Sequence, residues 1–206
     1  MKRILFQGDS ITDCGRDREN DMFMGRGYAT NVAQSMGYDY PGEYEFINKG
    51  ISGNRIVDLY ARMKIDLINL KPDYMSILIG VNDVWHEINR ENGVAAEKFE
   101  KIYDMLISEI LEALPNIKIM ILEPFVLEAG ATENHWEYFK TETAKRAEMA
   151  KKVADKFNLP FIPLQAGFDD LAKKAPNNYW LGDGVHPTAK GHEFIKNEWL
   201  KAYKNL

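Results

Sequence analysis

The sequence predicts a three-layer α/β/α sandwich around a central, mostly parallel five-stranded sheet. Three observations carry that prediction. Short apolar runs bounded by turn residues recur five times along the chain. Longer segments with helical spacing lie between them, and strands alternating with helices favour right-handed crossovers that cover both faces of a parallel sheet. No internal repeat and no linker rich in Gly, Ser or Pro interrupts the pattern, so residues 1–206 read as one domain.

The five runs fall at residues 4–7, 44–48, 74–79, 117–122 and 159–163. Each is short and rich in Ile, Leu, Met, Phe or Tyr, the pattern of strands buried on both faces. In residues 94–114, Phe99, Ile102, Tyr103, Leu106, Ile110 and Leu114 recur at three- and four-residue spacing, which places them on one face of a helix. Residues 141–157 behave likewise, and Pro187-Thr188 opens a last helix that carries Phe194, Ile195, Trp199 and Leu200.

Composition narrows the function classes. Twenty-six Lys and Arg against 31 Asp and Glu give a formal charge of −5, which disfavours attraction to a phosphate backbone or an anionic bilayer. Neither nucleic-acid binding nor membrane insertion is expected, because no apolar stretch approaches the ~18 residues of a membrane span. The single cysteine, Cys14, rules out an intramolecular disulfide and fits a reducing cytoplasm. The N-terminal apolar run stops after Phe6, too soon for a signal peptide.

In open parallel sheets ligands bind beyond the carboxyl ends of the strands, so the polar residues there matter most. After the first run comes Gly8-Asp9-Ser10-Ile11-Thr12-Asp13, where a serine at a strand-to-helix turn exposes its hydroxyl beside free backbone N–H groups. Taken alone it also fits an ordinary helix cap. After the second run, Gly50 and Gly53 in Asn48-Lys49-Gly50-Ile51-Ser52-Gly53-Asn54 allow close backbone approach, as any turn glycine does. Ser52 falls short of a Gly-x-Ser-x-Gly elbow because residue 54 is Asn. After the third run, Asn82 in Gly80-Val81-Asn82-Asp83 offers either an oxyanion donor or an Asx turn. Near the C-terminus, Asp183-Gly184-Val185-His186-Pro187 sets a carboxylate and an imidazole three apart on a turn before a helix. That is the arrangement in which a carboxylate fixes the tautomer of a general base, although a lone histidine there also fits a capping or core role.

Together, and in this order, the four stretches resemble the SGNH hydrolase superfamily, also called the GDSL esterases and lipases, with its flavodoxin-like sheet. The resemblance spans essentially the whole chain and departs from the literal tetrapeptide at Ile11 alone. It implies that Ser10 is the nucleophile, His186 the general base and Asp183 its partner. The oxyanion hole would be formed by the N–H groups of Ser10 and Gly53 and the amide of Asn82. The longer phrases 8–16, 48–54 and 80–85 resemble the intracellular acetylxylan esterases of that superfamily. The implied substrate is an ester of an acetylated sugar, and no cofactor or metal is called for. Neither His86-Glu87-Ile88-Asn89-Arg90 nor His192-Glu193-Phe194-Ile195-Lys196 completes a zinc-protease helix.

Asp9, Trp85, Trp136 and Trp180 are the candidate substrate-binding residues, the indoles serving either to stack on a sugar ring or to fill the core. Cys14 is expected to be a small buried residue with no base beside it, and His192 structural or solvent-facing. The loop 16–27 suits a lid or a contact between copies in a homo-oligomer. Two other readings keep different parts of this picture: a lysophospholipase, thioesterase or short-chain acylhydrolase with the same machinery, and a flavodoxin-like binding module that uses Ser10 only as a cap.

Overall fold

A computed structural model describes residues 1–206. Five strands, β1 (Lys2–Gly8), β2 (Tyr44–Asn48), β3 (Tyr74–Leu78), β4 (Lys118–Leu122) and β5 (Phe161–Ile162), form one sheet in the order β2-β1-β3-β4-β5. Every pairing is parallel. Nine helices connect or follow them: α1 (Ser10–Asp13), α2 (Tyr28–Asp39), α3 (Ile56–Asp66), α4 (Val81–Arg90), α5 (Ala96–Ala113), α6 (Trp136–Lys156), α7 (Gln165–Ala172), α8 (Asn177–Trp180) and α9 (Ala189–Tyr203).

The apolar runs are buried on both faces because side chains alternate across a strand. Ile4 and Phe6 of β1, Met120 and Leu122 of β4 and Ile162 of β5 face one core with Val32 and Met36 of α2, Phe168 of α7, and Ile195 and Trp199 of α9. Leu5, Met75, Ile77, Ile119 and Ile121 face the other, with Leu59 of α3, Phe99, Tyr103, Leu106 and Ile110 of α5, and Val153 of α6. These are the three layers expected, and Phe99, Tyr103, Leu106 and Ile110 are all fully buried on the predicted helix face.

Most boundaries shift by one or two residues, and two of the shifts have identifiable causes. The fifth strand, expected over 159–163, pairs only at Phe161 and Ile162. Pro160 and Pro163 flank it and have no N–H to donate to a ladder. The helix expected from 141 begins at Trp136, continuing a 3₁₀ turn over Gly130–His135. The polar residues there mask the helical spacing, although Phe139 is buried one turn inside.

Sheet order fixes where the loops meet. β1 lies between β2 and β3, so the segments after these three strands converge at one end of the sheet. The β1 and β2 loops touch so closely at Gly50 that a Cβ there would sit 2.3 Å from Asp13 N and 2.7 Å from the Thr12 carbonyl carbon. Both neighbours are backbone and cannot swing aside. Asn48 locks the contact: its side-chain amide donates to the Thr12 and Met24 carbonyls (2.7 and 2.8 Å), and its oxygen accepts from Gly50 N (2.9 Å). Gly50→Ala should therefore destabilise the fold by about 1–3 kcal/mol through overpacking. Urea unfolding of the variant beside wild type checks this.

Candidate active site

Ser10 opens α1 directly after β1. Asp9 caps that helix, its Oδ1 accepting from Ile11 N at 2.9 Å. As the first helical residue, Ser10 has a backbone N–H with no partner inside the helix. Its hydroxyl lies 2.8 Å from His186 Nε2, and His186 Nδ1 lies 2.7 Å from Asp183 Oδ2.

Asp183 shapes the turn as well as the imidazole. Its Oδ1 accepts from Val185 N (3.0 Å) and His186 N (2.7 Å), leaving Oδ2 for the ring. The segment after β4 buttresses it: Ala131 N donates to the Asp183 carbonyl (3.0 Å) and Leu127 N to that of Gly184 (2.9 Å). A carboxylate at Nδ1 fixes the proton there, so Nε2 presents a lone pair to Ser10. The electrostatics agree. Although burial raises it, the Asp183 carboxyl is held down at about 2 by its hydrogen bonds from His186 and the neighbouring amides. The bond to Asp183 raises the His186 imidazole above its ordinary value, against burial.

Gly53 and Asn82 stand on the neighbouring loops. Gly53 has φ +82°, a left-handed conformation that costs glycine nothing. Asn82 is buried in the first turn of α4, and its Nδ2 donates to the Asn54 carbonyl at 3.1 Å. One of its two amide hydrogens is thereby fixed and the other is left to point elsewhere.

Supporting residues that the motifs did not single out hold these loops in place. Asp13 Oδ2 accepts from both the N–H and the hydroxyl of Ser52 (3.0 Å each), tying the Gly53 loop to α1 and occupying the Ser52 hydroxyl. Buried Asp83 accepts from Ile56 N with both oxygens (3.1 and 3.2 Å), and Arg62 bridges Asn54 Oδ1 (2.7 Å) and the Gly8 carbonyl (3.2 Å). Asp13, Ser52 and Asp83 each follow a strand end by a few positions, a signal visible in the sequence, whereas Arg62 lies in the middle of α3 and carries none.

The expected substrate-binding residues separate. Asp9 is 1% exposed, and burial pushes its carboxyl up to about 7. Its placement makes it a cap beneath the site rather than a substrate contact. Trp85 packs against His186, with ring centroids 5.8 Å apart, and edge-on to Phe139. Trp136 lines a cavity of about 320 Å³ with Pro124, Val126, Lys140 and Phe161, and none of Ser10, Gly53, Asn82, Asp183 or His186 lines it. Trp180 packs edge-to-face on Tyr179 and borders a cleft with Leu171 and Phe194.

An imidazole does stand beside Cys14, a pairing the sequence did not show: His192 Nε2 lies 3.3 Å from its Sγ. His192 is also buried rather than solvent-facing. Its Nδ1 accepts from Tyr28 N at 3.1 Å, so the proton of the neutral ring sits on Nε2 and points at sulfur. His192 is a donor there, not a base, and burial raises the Cys14 thiol.

Comparison with known proteins agrees with this fold. The family model described as GDSL-like lipase/acylhydrolase matches residues 6–194. The chain belongs to this family. An acetylxylan esterase from Geobacillus stearothermophilus is 34% identical over 210 residues, covering 97% of this chain and 93% of that protein. The structure of a catalytic mutant of that acetylxylan esterase superposes with a TM-score of 0.87 at 31% identity, over 98% of this chain and 93% of the other. A candidate GDSL-like lipase from Parabacteroides merdae gives a TM-score of 0.92 at 39% identity, over 98% and 94% of the two chains. This GDSL-family protein is accordingly a carboxylic ester hydrolase with the SGNH fold.

The pH dependence follows in sign. If His186 serves as the general base it must be neutral to act, so the acid limb of kcat/KM should have its midpoint above the ordinary histidine value of about 6.5, since Asp183 raises the imidazole. Asp183→Asn should move that midpoint down and lower kcat by about 10³–10⁴-fold. A pH profile with p-nitrophenyl acetate measures both, and a loss below tenfold would reduce Asp183 to a structural cap.

Proposed function

We propose that Ser10, His186 and Asp183 form a catalytic triad that deacetylates short acetylated xylo-oligosaccharides. The observation that carries the triad is the continuous relay from Ser10 Oγ through both nitrogens of His186 to Asp183, at 2.8 and 2.7 Å. Ser10 Oγ attacks the ester carbonyl as His186 Nε2 takes its proton. The N–H groups of Ser10 and Gly53 and the free Asn82 amide hydrogen receive the oxyanion, each donor worth about 10²–10³-fold in rate. The imidazolium then protonates the leaving sugar oxygen and the C–O bond breaks, leaving acetyl-Ser10. Water, deprotonated by His186, repeats the addition and releases acetate.

The relatives support this reading. Structures of catalytic mutants of the Geobacillus acetylxylan esterase alter a serine, an aspartate and a histidine, the last two three positions apart, the spacing of Asp183 and His186 here. The same enzyme is described as an acetyl-xylooligosaccharide esterase. Trp85, set against the base, supports an alcohol portion with an apolar ring face.

The proposal treats residues 1–206 as one hydrolase domain in a reducing, cytoplasmic setting, with Cys14 unpaired. No helix is long and apolar enough to cross a membrane. Met22 and Phe23, 88% and 65% exposed on the loop 16–27, support contact with a second copy of the chain.

Side-by-side hydrolysis of acetyl, butyryl and octanoyl p-nitrophenyl esters and of an acetylated xylo-oligosaccharide tests the substrate class. The acetyl ester and the sugar acetate should be cleaved with the highest kcat/KM. A clear preference for octanoate would replace the carbohydrate reading with that of a fatty acylhydrolase.

A further inference from the structure

Helix α4 carries more of the site than Asn82. One turn on, Trp85 and His86 share the face of Asn82, because residues three and four apart are neighbours on a helix. Trp85 borders the base. His86 borders the other side: its Cε1 and Nε2 lie 4.0 Å from where a Cβ on Gly53 would sit. The two rings therefore flank the reacting groups, one beside His186 and the other beside the oxyanion loop.

The polar groups around that loop are already committed, with His86 as the exception. Ser52 is bound to Asp13, and the Asn54 oxygens accept from Arg62 and Asn82. Arg55 spends its donors on Asp58 and Asn92. The histidine side-chain hydrogen bonds in the structure belong to His186 and His192. His86 is half-buried, and burial together with Arg55 and Arg90 lowers its imidazole, against the pull of Asp58, so it is neutral near pH 7. A neutral imidazole offers one donor and one acceptor, the complement of a hydroxyl group.

An acetyl group has no polar atom beyond the carbonyl that the oxyanion donors engage, so the free imidazole at this rim serves the alcohol side of the ester. We propose that His86 is a substrate-positioning residue that hydrogen-bonds the sugar hydroxyl next to the acetylated position, while Trp85 supports the ring. This rests on the sugar-ester reading of the site and adds the group that selects a polyol over a simple alcohol. It assigns chemistry to a histidine that the sequence offered only as half of an incomplete zinc motif.

The test compares wild type, His86→Phe and His86→Gln on an acetylated xylo-oligosaccharide and on p-nitrophenyl acetate. The latter has no hydroxyl beside its ester. His86→Phe should raise KM for the sugar acetate by about 2–10-fold, the worth of one hydrogen bond. Its kcat should shift less than its KM, so that the ratio of kcat/KM for sugar acetate over p-nitrophenyl acetate falls. His86→Gln, which keeps a donor and an acceptor, should recover much of that ratio. Equal losses on both substrates, or no rescue by Gln, would overturn the assignment and leave His86 a packing residue. Wild type that cleaves p-nitrophenyl acetate but ignores the sugar acetate would overturn the sugar reading and this inference together. Wild type that deacetylates the sugar, with the ratio unmoved in His86→Phe, would overturn this inference alone.

Discussion

The hydrogen bond from Ser10 Oγ to His186 Nε2 joins residues 176 positions apart, and no local segment can hold it. The serine is fixed by β1, between β2 and β3 in the sheet, and the histidine by the turn before the last helix. That turn is braced in its own right by the segment after β4, through Ala131 and Leu127. The relay thus depends on the parallel register that delivers β1 and β4 to the same end of the molecule. The two apolar layers hold the strands; the loops then need only reach the edge.

Holding loops against one another at a strand end demands buried polar groups, and these are costly unless bonded. Asn48, Asp13 and Asp83 meet that demand by accepting or donating to backbone of the adjacent loop. Asp83 is wholly buried, which drives its carboxyl well above the ordinary value even though the hydrogen bond from Ile56 N, shared between its two oxygens, and the charges of Arg146 and Arg55 oppose that. Asp9 sits in a similar position beneath Ser10. The site is therefore stiff before substrate arrives: Gly53, Asn82 and His186 each have a neighbour that fixes their orientation, which is what preorganised stabilisation of a developing oxyanion requires.

The strands, the layers and the positions of Ser10, Asn82 and His186 were legible because each is a local signal: an apolar run, a helical spacing, a motif at a strand end. What stayed hidden is long-range. Cys14 meets His192 across 178 positions, and Ser52 gives its hydroxyl to Asp13 across 39. Neither pairing leaves a periodic trace. The tryptophans were ambiguous because an indole suits a core and a sugar face equally. Only position in the fold separates Trp85, against His186, from Trp136 and Trp180. His86 was passed over for the same reason, since its neighbour Gly53 lies on a different loop.

In the proposed mechanism Ser10, and not the nearby thiol of Cys14, forms the covalent intermediate. Peptide-level mass spectrometry after reaction with a p-nitrophenyl phosphonate ester tests it most directly. A single adduct on the peptide's Ser10 in wild type, absent from Ser10→Ala, is the predicted result. An adduct on Cys14, or one that persists with full esterase activity in Ser10→Ala, would contradict it.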